Sequence, residues 1–226
     1  MVVRFERGGP FDILCSGTLI SPTVFLTASH CTAYLEENGI PAHNVWVTFD
    51  PTFDQASPLH RGTYHTNPLY GTGGASDTHD IAVIVLDHRV SGIEPARLPP
   101  AHLLDRLRAS HAIQAATFKA VGYGTVDEDK TKGSQTFFFD GKRRYATQHL
   151  YAINRAWLRL SENPSTGAGG TCYGDSGGPH FLGGPASDRI VALTVTGDSV
   201  CRATDVDYRV DTTSARSFLS QFVTLP

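Results

Sequence analysis

The sequence predicts an all-β fold, a barrel or a sandwich, and three observations lead there. Short runs rich in β-branched and aromatic residues recur along the whole 226-residue chain. Clusters of Gly, Pro, Asn or Asp bound most of these runs. Helical periodicity is confined to two segments, so the strand–helix alternation of a parallel α/β sheet is missing.

In chain order, strands are expected over residues 14–20 (LCSGTLI), 24–28 (VFLTA), 45–49 (VWVTF) and 81–86 (IAVIVL). A helix is expected over 101–109, where Leu103, Leu104 and Leu107 recur at helical spacing after Pro99 and Pro100. Further strands follow over 117–124, 145–153, 190–196 and 207–210. A second helix closes the chain. Asp211 or Thr212 caps it, and Phe218, Leu219, Phe222 and Val223 form one apolar stripe suited to docking on a barrel. The stretch ARLPPAHLL divides the chain into halves of similar size, 1–112 and 113–226. Residues 126–135 (VDEDKTKGSQ) are charged and aperiodic and read as a solvated loop without function.

A chain of this length buries a sizeable core, and 40% hydrophobic with 18% charged residues is the composition of a globular protein. A net charge of -3 gives no reason to expect nucleic acid or an anionic membrane as a partner. The longest fully apolar run, IAVIVL, is far too short to span a bilayer. The start, MVVRFERGGPF, has neither an apolar h-region nor a small-residue cleavage site. Two expectations stay open, a cytosolic protein or a secreted one whose leader has been removed. Cys15, Cys31, Cys172 and Cys201 form an early and a late pair without zinc-site spacing. Local disulfides 15–31 and 172–201 are one of three connectivities and suit an oxidising compartment; four buried free thiols are the bland alternative.

The stretch TCYGDSGGPH places three glycines around Ser176. A serine hydroxyl needs a neighbouring base to become a nucleophile, and N–H donors must meet the oxyanion it creates. Glycines let the backbone turn sharply and bring such donors close to a substrate. A Gly-rich surface turn is the bland alternative. GDSGG also fits the G-x-S-x-G elbow of α/β-hydrolases, but that fold places its histidine after the serine and the acid. Here only His180 follows, four residues on, and the elbow is rejected. The order His, Asp, Ser fits instead. His30 lies in LTASHC at a strand end, and Asp80 heads the apolar strand in THDIAVIVLD. Each alone reads as structural.

Together these motifs resemble those of the chymotrypsin-like (trypsin-fold) serine proteases. CSGTLIS is similar to the strand leading into the family's first disulfide. TASHC is close to TAAHC, DIAVIVL to the DIALLKL-type segment, VGYGT to the GWG-type strand, and CYGDSGGP to the serine motif. The resemblance covers most of the chain. It implies two six-stranded antiparallel β-barrels around a central cleft, with a C-terminal α-helix. The barrel of 1–112 carries His30 and Asp80, and that of 113–226 carries Ser176. It implies Ser176 as nucleophile, His30 as general base and then acid, Asp80 as its orienting group, and an oxyanion hole from the N–H groups of Gly174 and Ser176. Disulfides Cys15–Cys31 and Cys172–Cys201 are implied as clamps on the His30 loop and the pocket walls. No cofactor or metal is implied. The implied partners are polypeptide substrates and protein protease inhibitors, for a secreted monomer.

By the same resemblance Gly170, six residues before Ser176, forms the pocket base and Gly197 an open wall. The opposite wall falls at Asp205, Val206 or Asp207. Without an acid at 170, large apolar or aromatic substrate residues are expected over basic ones. Three departures stand out. Val195 and Thr196 replace a usual serine and tryptophan, and Ser29 replaces an alanine. Asp175, the activation-type carboxylate, usually pairs with the α-amino group of an IVGG-like terminus, which this sequence lacks. An unpartnered buried carboxylate costs several kcal/mol. Three expectations follow: an altered or fragmentary chain, another cation, or an unformed oxyanion hole. The competing functions are a serine endopeptidase, a non-catalytic or zymogen-like protease-fold binding protein, and an esterase.

Overall fold

The computed structural model describes residues 1–6, 8–127, 137–183 and 186–226. Most of the loop expected over 126–135, from residue 128 on, lies outside them. The first half supplies β1 (Val2–Val3), β2 (Asp12–Ile13), β3 (Thr18–Ser21), β4 (Val24–Thr27), β5 (Val45–Val47), β6 (His60–Thr66) and β7 (Ala82–Leu86). These form one curled sheet in the order β2-β1-β5-β6-β7-β4-β3. β7 sits between β4 and β6, and four of its five residues are buried, which is why its sequence is continuously apolar rather than alternating.

The second half supplies β8 (Thr117–Gly122), β9 (Val126–Asp127), β10 (Phe137–Phe138), β11 (Arg144–Ile153), β12 (Trp157–Ser161), β13 (Pro179–Leu182), β14 (Ile190–Gly197) and β15 (Thr204–Arg209). Six of them close into a barrel, β11-β12-β15-β14-β13-β8, and β9 pairs with β10 apart from it. Closure removes the free sheet edges that invite wrong pairing.

Helices α1 (Ser29–Glu37), α2 (Leu103–Ala109) and α3 (Thr213–Leu219) complete the fold. Thr212 caps α3, its Oγ1 accepting the Ala215 N–H at 3.2 Å. Asp211 instead accepts the Leu104 N–H at 2.8 Å and pairs with Arg209, fastening α2 to the barrel. The C-terminal apolar stripe docks as expected: Phe218 and Leu219 are buried, and the Phe222 ring lies 5.2 Å from that of His65. α1 was not legible, because SHCTAYLEE has no clear apolar stripe. Its hold comes from buried Cys31 and Leu35, with Cys31 bonded to Cys15.

One core cluster runs from the first-half sheet through Trp157, Leu193 and Tyr208 to α3. A smaller one, including Phe118, Leu158, Leu160 and Ala192, lies in the second half under α2. Disulfides join Cys15 to Cys31 and Cys172 to Cys201. No helix among the described residues is long and apolar enough to cross a membrane.

Candidate active site

β4 ends at Thr27 and α1 begins at Ser29, so His30 lies in the first helical turn. Asp80 precedes β7 and follows His79, whose φ of 54° is unusual for a residue with a side chain. That bend is held on both sides. The His79 N–H donates to Asp77 Oδ1 at 3.1 Å, and its Nδ1 is hydrogen-bonded to Ser214 Oγ of α3 at 2.7 Å. Asp80 is buried and meets His30 twice. Its Oδ1 accepts the His30 backbone N–H at 2.9 Å, and its Oδ2 lies 2.9 Å from His30 Nδ1. A carboxylate only accepts, so Nδ1 carries the proton and Nε2 is left as the free basic nitrogen.

Ser29 has a larger part than its modest departure from the alanine pattern suggested. It is fully buried; its hydroxyl donates to the Ile81 carbonyl at 2.7 Å and accepts the Asn67 N–H at 3.1 Å. It therefore ties the His30 turn to the residue after Asp80.

The turn carrying Ser176 is braced by backbone bonds. The Ser16 N–H donates to the Ser176 carbonyl at 2.8 Å, and the Gly177 N–H donates to the Thr194 carbonyl at 2.7 Å. Gly174 and Gly177 have φ of +99° and +77°, where a side chain would be strained. A Cβ on Gly177 would also strike the Ala28 nitrogen, two residues before His30, so the serine turn packs against the strand end that leads into α1. Among the described residues, the N–H groups of Gly174 and Ser176 have no partner within the chain, and no hydrogen bond joins Ser176 Oγ to His30. Two free donors beside a serine are what an oxyanion requires.

Asp175 does find partners. Its Oδ1 accepts the Gly124 N–H at 2.8 Å and its Oδ2 the Cys172 N–H at 2.9 Å. Burial raises its pKa, and these two donors, with His180 nearby, oppose the rise.

A cavity of about 300 Å³ opens beside Ser176. Thr194, Val195, Thr196, Gly197 and Asp198 line it, with the Cys172–Cys201 disulfide. Gly197 is thus in its wall, whereas Gly170 and Val206 are not among its lining residues. The space that a Gly170 side chain would fill holds the Glu162 carboxyl instead. Glu162 is buried, and its Oε1 accepts the Thr171 N–H at 2.7 Å. Burial, then the charge of Asp205, pushes its pKa up to about 7. Asp198 accepts the N–H groups of Ala203 and Thr204, each at 2.8 Å, which holds the pocket loop.

Asp205 and Asp207 are fully buried with His180. Two residues apart on β15, they share one face by strand alternation. Glu162 gave no motif-level signal. The Asp-Val-Asp alternation was readable, but its direction depended on which face of β15 turns inwards.

A family model described as trypsin matches residues 1–218. Similar proteins include fibrinolytic enzyme isozyme C of Lumbricus rubellus, 26% identical over 77% of this chain and 72% of that one. Chymotrypsin-like elastase family member 3B of Macaca mulatta is 29% identical, over 44% of this chain and 40% of its own length. Glucanase inhibitor protein 3 of Phytophthora sojae is 27% identical over 74% of this chain and 61% of that one. With residues 1–218 matched, the His30–Asp80 pair in place and Ser176 on its braced turn, the chain belongs to the trypsin family.

Proposed function

We propose that the chain is a secreted serine endopeptidase working through an acyl-enzyme, with Ser176 as nucleophile, His30 as base and acid, and Asp80 as the group that orients His30. The double contact of Asp80 with His30 carries the reading. With the proton fixed on Nδ1, Nε2 takes the Ser176 proton as Oγ attacks the peptide carbonyl, and returns it to the leaving amine. The unpartnered N–H groups of Gly174 and Ser176 receive the oxyanion. Water then attacks the ester with His30 again as base, releasing the second product. Contacts between a catalytic serine and histidine commonly tighten only when substrate binds. The segments 1–112 and 113–226 act as one peptidase unit.

The cavity beside Ser176 favours a large apolar or aromatic side chain. Among the described residues its walls are mainly neutral, and the acid lining it, Asp198, is engaged by backbone donors. An incoming Lys or Arg would lose hydration without gaining a free carboxylate. The partners are polypeptide substrates and protein inhibitors of proteases, met outside the cell by a monomer; the disulfides support that compartment.

A non-catalytic binding protein is the second reading. The missing Ser176–His30 hydrogen bond favours it, as does the similarity to a protein named a glucanase inhibitor. Turnover of peptide p-nitroanilides, compared with matching esters, separates the readings. The endopeptidase reading expects amide cleavage, faster after Phe or Leu than after Lys. Ester cleavage alone would make the chain an esterase, and no turnover by a folded sample would favour the binding protein.

A further inference from the structure

We propose that the interior of the second-half barrel holds one divalent transition-metal ion of the Zn2+ type, bound by His180 Nε2 and the carboxylates of Asp205 and Asp207. The three side chains are fully buried, and their potential ligating atoms lie within 4.8 Å of one another. His180 Nε2 is 2.8 Å from Asp207 Oδ1, 3.5 Å from Asp205 Oδ2 and 2.9 Å from Thr194 Oγ1. One ring nitrogen has at most one proton and cannot serve three oxygens. Tetrahedral ligands at about 2.0–2.2 Å from an ion lie roughly 3.3–3.6 Å apart; the 3.5 Å contact to Asp205 has that spacing, and the 2.8 Å contact to Asp207 would open by about half an ångström on binding.

The surroundings point the same way independently. Gln148 is fully buried and donates Nε2 to Asp205 Oδ2 at 2.8 Å, yet among the described residues its Oε1 has no donor. Glu162 Oε2, Asp205 Oδ1 and Asp207 Oδ2 are likewise buried and without a donor among the described residues. Most buried polar atoms in folded proteins are paired, so a group of orphaned acceptors around two carboxylates calls for a positive centre. The buried cation on β15, Arg209, is engaged by Asp211 and Asp105. Imidazole with carboxylates suits a first-row transition ion, whereas Ca2+ takes six to eight oxygens. Thr194 also lines the cavity beside Ser176, so the ion would brace the wall of the candidate substrate pocket.

The test uses the full chain, stripped with a chelator and then given one equivalent of ZnCl2. Elemental analysis after gel filtration should find about one zinc per chain, and Tm should rise by roughly 5 °C or more, because an ion that binds only the folded state stabilises it. Asp205→Asn with Asp207→Asn should lose both effects, while His30→Ala keeps them. If the double variant does not fold, Co2+ in the unaltered chain should give the visible bands of a four- or five-coordinate N/O site. Failure of the unaltered chain to retain zinc or cobalt would overturn the proposal, and the carboxylates would then be held by protons. Equal retention by the double variant would overturn it as well.

Discussion

Asp80 grips His30 through both carboxylate oxygens, one on the backbone N–H and one on Nδ1, each at 2.9 Å. The first contact sets where the residue sits and the second sets which ring nitrogen is basic. Asp80→Asn separates these two effects. Its amide oxygen still accepts the backbone N–H, but its NH2 then faces Nδ1 and moves the imidazole proton to Nε2. Turnover should fall by ~10⁴-fold with the fold intact, the loss expected when a triad histidine has the wrong tautomer. Peptide kcat beside a urea unfolding curve checks it, and wild-type turnover would refute the assigned role.

Ser29→Ala should act on stability before activity. It removes a donor to the Ile81 carbonyl and leaves the buried Asn67 N–H without an acceptor. Orphaning one buried group costs about 1–3 kcal/mol. Urea midpoints measure the loss, and kcat per folded molecule should change only a few-fold. A neutral substitution would mean that water replaces the hydroxyl.

The Cys172–Cys201 bond closes a loop of sequence separation 29 against the cavity wall. The chain-entropy account gives about 3–4 kcal/mol for such a loop, as a model-dependent figure. Replacing both cysteines by alanine should lower stability by that order and raise KM more than it lowers kcat, because the bond lies at the pocket and not at His30.

Glu162 gives a pH dependence with a definite sign. Its folded pKa, about 7, stands above the ordinary 4.5. The unfolded chain therefore releases this proton first as pH rises. The contribution of this group to stability is greatest below about 4.5, falls between there and about 7, and levels off above. The span is worth about 3 kcal/mol for this group alone. Burial raises Asp205 and Asp207 too, which adds to the same trend. Unfolding curves from pH 4.5 to 7.5, taken in EDTA to keep metal out, should show this slope, and Glu162→Gln should reduce it, leaving the part due to Asp205 and Asp207.

What the sequence made legible follows from how local each signal is. β7 was visible because a strand between two neighbours is apolar throughout, and α2 and α3 because their stripes and caps lie within one segment. β6, with HRGTYHT, and β12, with WLRLS, were missed, because each is partly polar and becomes a strand through its neighbours. At the site, the motif residues could be named, but Ser16 and Thr194 could not, and Ser29 stood out only as a replaced alanine. Their importance depends on contacts across tens or hundreds of residues, such as Ser16 Oγ donating to the Gly174 carbonyl at 2.9 Å. The Asp175 expectation shows the same limit. Its backbone partners, Gly124 and Cys172, cannot be read from side-chain identities.

The most direct measurement of the central claim is reaction of the full chain with a fluorophosphonate probe, with Ser176→Ala alongside and mass spectrometry to locate the adduct. The account predicts one adduct, on Ser176, absent from the alanine variant and strongly slowed by Asp80→Asn. A folded, disulfide-bonded sample that takes no label, or takes it elsewhere, would contradict the claim that Ser176 is a nucleophile activated by the His30–Asp80 pair.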